Sequence, residues 1–178
     1  RVATSINGIN FKARPEILGR TYFRAFQYDN YYYALAMPGQ FYRSRDRYSN
    51  FETGPLLFNK DMRHFALLPR ENKLYVFWTQ VGLAPETIMF STIDMTSDWR
   101  HWMQSDPVEL LRPEFEWEGA NAPLEPSVRS TAYGCVNQLR DPEVFIEDDA
   151  VFLLYAVAGE SGIAIAKESC AFGGIHHF

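Results

Sequence analysis

From Asn137 to Tyr155 the chain reads N-Q-L-R-D-P-E-V-F-I-E-D-D-A-V-F-L-L-Y. Val144 and Phe145 alternate with polar neighbours, Asp148 and Asp149 supply a turn, and Val151 to Tyr155 run almost wholly apolar. The pattern predicts a β-hairpin. Pro142 pushes Asp141 toward an extended backbone, so Arg140 and Asp141 stand at the hairpin's mouth. An Arg-Asp pair is costly to bury without a partner, so it marks either a structural ion pair or the edge of a site.

The same reading predicts strands over 23–26, 31–37 and 41–44, with a fourth at the Pro55 segment. Asp29-Asn30 and Pro38-Gly39 are the intervening stops. A second set falls at 64–68, 74–79, 87–92 and 108–111, and a third begins at Gln138 and ends with 162–166. The third set lacks a fourth strand, and an orphan strand is expected around 16–18.

Short motifs recur between the sets. Ser5-x-Asn7 leads to Phe11 and Pro15; Ser44-x-Asp46 leads to Asn50-Phe51 and Pro55; Ser91-x-x-Asp94 leads to Asp98-Trp99, Trp102 and Pro107. Phe11 to Phe51 spans 40 positions and Phe51 to Trp102 spans 51. Periods of about 40–50 residues with several strands per unit characterise β-propeller blades. The fold class is therefore all-β and propeller-type, with about three four-stranded units over 19–58, 60–111 and 137–168. Residues 1–18 read as the outer strand of a preceding blade, 112–136 as a long loop, and 169–178 as a tail without period. Three such blades leave open sheet edges. That predicts a piece of a larger propeller, or a homo-oligomer whose second copy completes the ring.

Composition narrows the function. The 178 residues are 47% hydrophobic and 16% aromatic, with ten tyrosines and four tryptophans. Aromatic β-cores and carbohydrate-binding surfaces both use such residues. A net charge of −5 without a basic stripe argues against nucleic acid. No apolar run approaches the roughly 18 residues of a membrane span, and no signal peptide is expected, with localisation left open. Cys135 and Cys170 are expected as free thiols, with no metal site.

The Arg140-Asp141-Pro142 start, the Asp-Asp turn before Val151 to Tyr155, and the Ser-x-Asp…Asn-Phe/Trp repeats resemble the five-bladed β-propeller glycoside hydrolases. That group includes arabinanases, xylosidases, invertases and fructosidases. The resemblance runs from about Ser5 to Ala166 and implies a funnel where acidic residues on the innermost strands face a sugar. A carboxylate pair there does acid–base work on a glycosidic bond. Asp141 matches the supporting aspartate of the Arg-Asp-Pro setting, which holds sugar hydroxyls or tunes the acid. No residue matches the base, nucleophile or acid. Fold alone does not fix function. A non-catalytic module binding carbohydrate or protein, and an inactive fragment, are the alternatives.

Aligning the turn at Asp149 with that at Asn72 sets His64 opposite Asp141, with Tyr22 and Arg24 in the first unit. Such positions converge on one point, as a binding funnel needs. Asp141 would bind sugar hydroxyls or stabilise a developing charge; its bland alternative is a buried pair with Arg140. Arg140 would orient that carboxylate. His64 is a substrate contact, the lone ligand of an axial cation, or a core histidine. Arg24 is a ligand contact or a snorkelling side chain. Glu118 and Glu125 on the long loop are the acid candidates, with Trp117 beside them as a sugar contact; a solvated loop is the alternative. Glu160 lines the funnel or completes a turn. Tyr31, Tyr32 and Tyr33 are expected in the core. The sequence holds no phosphate-loop, dinucleotide, zinc-protease or nucleophile-elbow motif.

Overall fold

The computed structural model describes residues 1–148, 150–168 and 175–177. In chain order its strands are β1 (Ala3–Thr4), β2 (Lys12–Ala13), β3 (Arg24–Tyr28), β4 (Tyr31–Ala36), β5 (Gln40–Ser44), β6 (Glu52–Leu56), β7 (Met62–Arg70), β8 (Lys73–Gln80), β9 (Ile88–Asp94), β10 (Val108–Leu111), β11 (Arg140–Glu147), β12 (Ala150–Val157), β13 (Gly162–Glu168) and β14 (Ile175–His177). Two 3-10 turns, Trp99–His101 and Glu116–Glu118, are the helical elements among the described residues. The strands form three four-stranded antiparallel meanders, β3 to β6, β7 to β10 and β11 to β14, plus the β1–β2 hairpin.

Local chemistry sets the turns. Asp29 and Asn30 both have positive φ, 43° and 60°, as a two-residue I′ hairpin turn requires. Glu71 and Asp148 take the same backbone region at the β7–β8 and β11–β12 turns, and Asp149 lies outside the described residues. The repeated aspartates clamp the bends after the third strands of the first two sheets. Asp46 accepts from the Tyr48 N–H at 2.8 Å, and Asp94 accepts from the Thr96 N–H at 2.9 Å.

Two expectations fail at the chain's ends. No strand forms around 16–18; instead residues 3–4 pair with 12–13 in a small exposed hairpin. The third set does have a fourth strand, because Ile175–His177 pairs antiparallel with β13. A lone three-residue strand carries too little alternation to stand out in a sequence. Residues 169–174 and 178 of the expected tail, Cys170 included, lie outside the described residues.

The middle sheet is apolar on both faces, because each face packs on a neighbouring sheet. On one side Phe65, Leu74, Val76, Trp78 and Ile93 meet Phe26, Tyr33, Leu35 and Phe41 of the first sheet. Trp99 and Trp102, carried between β9 and β10, reach into the same cluster. On the other side Ala66, Leu68, Phe77 and Ile88 meet Val151, Leu153, Tyr155 and Val157 of the third sheet. Of the three expected core tyrosines, Tyr33 is buried while Tyr31 and Tyr32 are partly exposed. The first strands β3, β7 and β11 adjoin one another in that order. The result is an all-β, propeller-like stack whose inner strands bring three sequence-distant segments together.

Candidate functional site

Close to the start of each first strand lies a non-glycine residue in left-handed backbone: Tyr22, two residues before β3, at φ 58°, His64 in β7 at φ 39°, and Asp141 in β11 at φ 44° rather than in the extended backbone expected before Pro142. Strand pairing slips at the last two, between Arg63 and Phe65 and between Arg140 and Glu143. These are bulges, which re-aim a side chain relative to the ladder. A bulky residue in this region carries strain of order 1–3 kcal/mol, and such strain clusters at functional sites.

The three strained residues meet. The Tyr22 hydroxyl donates to Asp141 Oδ1 at 3.2 Å. His64 Nδ1 lies 3.8 Å from the same oxygen and 3.4 Å from Thr79 Oγ1. The Tyr22 and His64 rings are 5.8 Å apart, and Phe65 packs edge-on against Tyr22. Arg24 lies 5.0 Å from the Tyr22 ring centre and pairs with Glu143 Oε2 at 2.6 Å. Asp141 and Glu143 retain 43% and 47% side-chain exposure, so both carboxylates are open to a ligand. The alignment of turns in the sequence set Asp141, His64, Tyr22 and Arg24 toward one point, and the structure brings these four together. That alignment missed Glu143, whose place two residues along the same strand from Asp141 was the available signal.

Burial pushes the His64 imidazole below its ordinary 6.5, against the opposing pull of Asp141. Burial likewise raises the Tyr22 phenol, which stays protonated and able to donate. For Arg24 burial works against the charge, but the Tyr22 hydroxyl and Glu143 outweigh it and hold the guanidinium cationic. The site thus presents one cation, two carboxylates, a neutral imidazole and a phenol. Among the described residues no group of three or more His, Cys, Asp or Glu side chains could hold a metal ion.

Arg140 does not join this cluster. Its side chain is 1% exposed. It donates to Gln138 Oε1, to the Ser130 carbonyl at 3.1 Å and to Glu160 Oε1 at 2.9 Å, with Glu86 Oε2 at 3.6 Å. Arg63, the residue before His64, is its counterpart in the second sheet. It pairs with Glu86 through Nε at 2.9 Å and Nη2 at 2.5 Å, and it donates to the Val128 carbonyl at 3.1 Å. The two arginines therefore tie the 127–132 segment down beside the strained residues that follow them. Glu160 belongs to this network, and its Oε1 also accepts from the Ala132 N–H at 3.4 Å. Arg63 and Glu86 escaped the sequence reading, although Glu86 stands before β9 as Glu160 stands before β13.

The long loop leaves Leu111, which pairs with Ile88, and rejoins at Arg140. Both ends of the loop therefore lie at the end of the sheets where the cluster sits. Glu118 is fully buried. Its Oε2 accepts from the N–H groups of Glu114 and Phe115 at 2.8 and 3.1 Å, and Oε1 accepts from the Tyr155 hydroxyl at 2.9 Å. This carboxylate fastens the loop to the third sheet rather than reaching over the cluster. Glu125 is exposed and lines a cavity of about 350 Å³ with Tyr133, Cys135, Gln138 and Arg140. Trp117 is exposed and stacks on Phe115. Cys135 is a free, exposed thiol.

No family model matches the chain. An uncharacterized protein of Acanthamoeba polyphaga mimivirus is 37% identical over 183 aligned positions, which cover 93% of this chain and 51% of that protein. A thermostable family-43 glycoside hydrolase superposes with a TM-score of 0.62 at 14% identity, covering 88% of this chain and 53% of that one. An endo-1,4-β-xylanase from Bacteroides thetaiotaomicron gives a TM-score of 0.58 at 12% identity, covering 88% and 52%. The chain spans about half the length of each of these proteins. At such identities the structural likeness establishes the fold, a propeller-like all-β architecture shared with glycoside hydrolases.

Proposed function

We propose that the protein is a carbohydrate-active, glycoside hydrolase-like propeller whose sugar site is the Tyr22, Arg24, His64, Asp141 and Glu143 cluster. The observation that carries the reading is the meeting of Tyr22, His64 and Asp141, each strained, each close to the start of a first strand. Asp141 faces the sugar and accepts hydroxyl protons or stabilises positive charge developing at the anomeric carbon. Tyr22 holds that carboxylate in place. Arg24, steadied by Glu143, and His64 bind further sugar oxygens. Arg140, Arg63, Glu86 and Glu160 form the rigid bed beneath.

The finer reading is a five-bladed propeller to which this chain contributes three sheets, with further carboxylates for acid–base work supplied by the rest. Two features support it. The chain spans about half of its structural neighbours. The far face of the third sheet is also apolar, with Phe145, Ile163 and Ile165 exposed at 49%, 79% and 41%. Such a face fits a further four-stranded sheet, just as both faces of the middle sheet are covered.

Reducing-end release from arabino-, xylo- and fructo-oligosaccharides by the full-length protein tests the reading. Asp141→Asn is the informative variant, because asparagine tolerates the left-handed backbone at this position. Turnover that falls at least about 100-fold with folding intact supports the proposal. Turnover unchanged in the variant, or absent on every linkage in the wild type, would overturn it.

A further inference from the structure

The turn over 113–119 carries a surface that the proposed sugar site does not use. The Phe115 and Trp117 rings stack within 5° of parallel, their centres 5.4 Å apart. They are 41% and 48% exposed, whereas Trp78, Trp99 and Trp102 are each 2% exposed. An exposed aromatic pair is ordinarily loose, but this one is built in. Glu118, wholly buried, accepts from the Glu114 and Phe115 N–H groups and from Tyr155. The Ala158 N–H donates to the Glu118 carbonyl at 3.0 Å. Gly119, at φ 90°, lies so close that a Cβ there would stand 2.2 Å from the Val136 carbonyl oxygen. The rings therefore rest on a turn pinned to the third sheet, at the end where the Asp141 cluster opens.

The rim defines the ligand chemistry. Glu114 and Glu116 are exposed beside the rings, and the neighbouring basic side chain, Arg112, is already paired with Glu109 at 2.6 Å. With Arg112 neutralised by Glu109, the two further carboxylates leave the rim net negative, which repels phosphates and other anions. A neutral pyranose fits: its C–H face lies on an aromatic plane, and its hydroxyls donate to the carboxylates. A cation cage would set rings at angles around its guest, whereas these two are near parallel.

We propose that the Phe115–Trp117 platform is a second glycan-binding subsite, taking one neutral pyranose of a longer chain whose reacting end lies at the Asp141 cluster. The inference rests on the carbohydrate reading above, but its test is separate. The probes are xylohexaose, arabinohexaose and choline chloride, with acrylamide quenching of tryptophan fluorescence as readout. In the 178-residue chain the other three tryptophans are buried, so accessible emission reports Trp117. The expected result is that a hexaose shields Trp117 in wild type and in Asp141→Asn alike. Trp117→Ala should weaken hexaose binding about tenfold, with xylobiose little affected and Trp117→Phe intermediate. Shielding of Trp117 in this chain, with no hydrolysis by the full-length protein, removes the catalytic reading and keeps the platform. Hydrolysis lost in Asp141→Asn, with the hexaose-to-biose preference unchanged in Trp117→Ala, overturns the platform and keeps the catalytic reading. Shielding by choline alone, or by none of the probes, overturns the platform's assignment to glycans.

Discussion

The Tyr22 hydroxyl donates to Asp141 Oδ1 across 119 positions of sequence, joining the segment that leads into the first strand of the first sheet to the first strand of the third. The contact passes His64 of the middle sheet, which lies within 4 Å of the same oxygen. Removing the hydroxyl isolates its role. Tyr22→Phe keeps the ring packing on Phe65 and deletes the hydroxyl's bond to Asp141 together with its contact to Arg24, at a stability cost of about 0.5–1.5 kcal/mol for each. Turnover or glycan affinity should fall roughly tenfold, because Asp141 loses its fixed orientation. Equal kinetics in variant and wild type would show that Tyr22 only packs.

His64 makes stability depend on pH in a defined window. Its imidazole is held below 6.5 by burial, whereas in the unfolded chain it titrates near that value. Between the lowered folded value and 6.5 the unfolded state binds more protons, so folding stability falls as pH drops through that range. Above it the contribution is complete and flat. Urea unfolding from pH 8 to pH 4 should show a steeper acid decline for wild type than for His64→Asn. Parallel curves would contradict the assignment.

Glu86 faces two buried arginines, Arg63 and Arg140, and is itself 0% exposed. Glu86→Ala leaves both without that carboxylate and should cost about 3–5 kcal/mol. A matched change that removes charge on both sides, Arg63→Met with Glu86→Met, should cost much less than the sum of the two single changes. Chemical denaturation of the four proteins gives the coupling. Simple additivity would mean that the Arg63–Glu86 pair is not the clamp described.

Glu118→Ala should likewise destabilise, by about 2–4 kcal/mol, since two backbone N–H groups and the Tyr155 hydroxyl lose their acceptor. Glu118→Gln restores one acceptor oxygen and should recover part of the loss. If Glu118→Ala instead abolished turnover in a protein of unchanged stability, Glu118 would be the acid after all.

The strands and the convergence of Asp141, His64 and Arg24 were legible because hairpin turns fix register. Once Asn72 and the Asp148–Asp149 turn are aligned, counting back along the strand gives the partner positions. What lay out of reach was direction. Arg140 and Asp141 are adjacent, yet the bulge sends one inward to Glu160 and leaves the other open to solvent. The Glu118 carboxylate turns under its own loop to the Glu114 and Phe115 N–H groups, a capping contact of one short turn that no periodicity announces. The β14 strand and the β1–β2 hairpin are too short for alternation to mark them.

The proposed sugar site joins the starts of three first strands. The most direct test follows the His64 ring proton by NMR while arabino-, xylo- and fructo-oligosaccharides are added in turn to wild type and Asp141→Asn. The account predicts that a binding oligosaccharide shifts the His64 resonance in wild type and that the shift is lost or strongly weakened in the variant. An oligosaccharide that binds with the His64 signal unmoved, or moves it equally in both proteins, would place the sugar elsewhere and contradict the account.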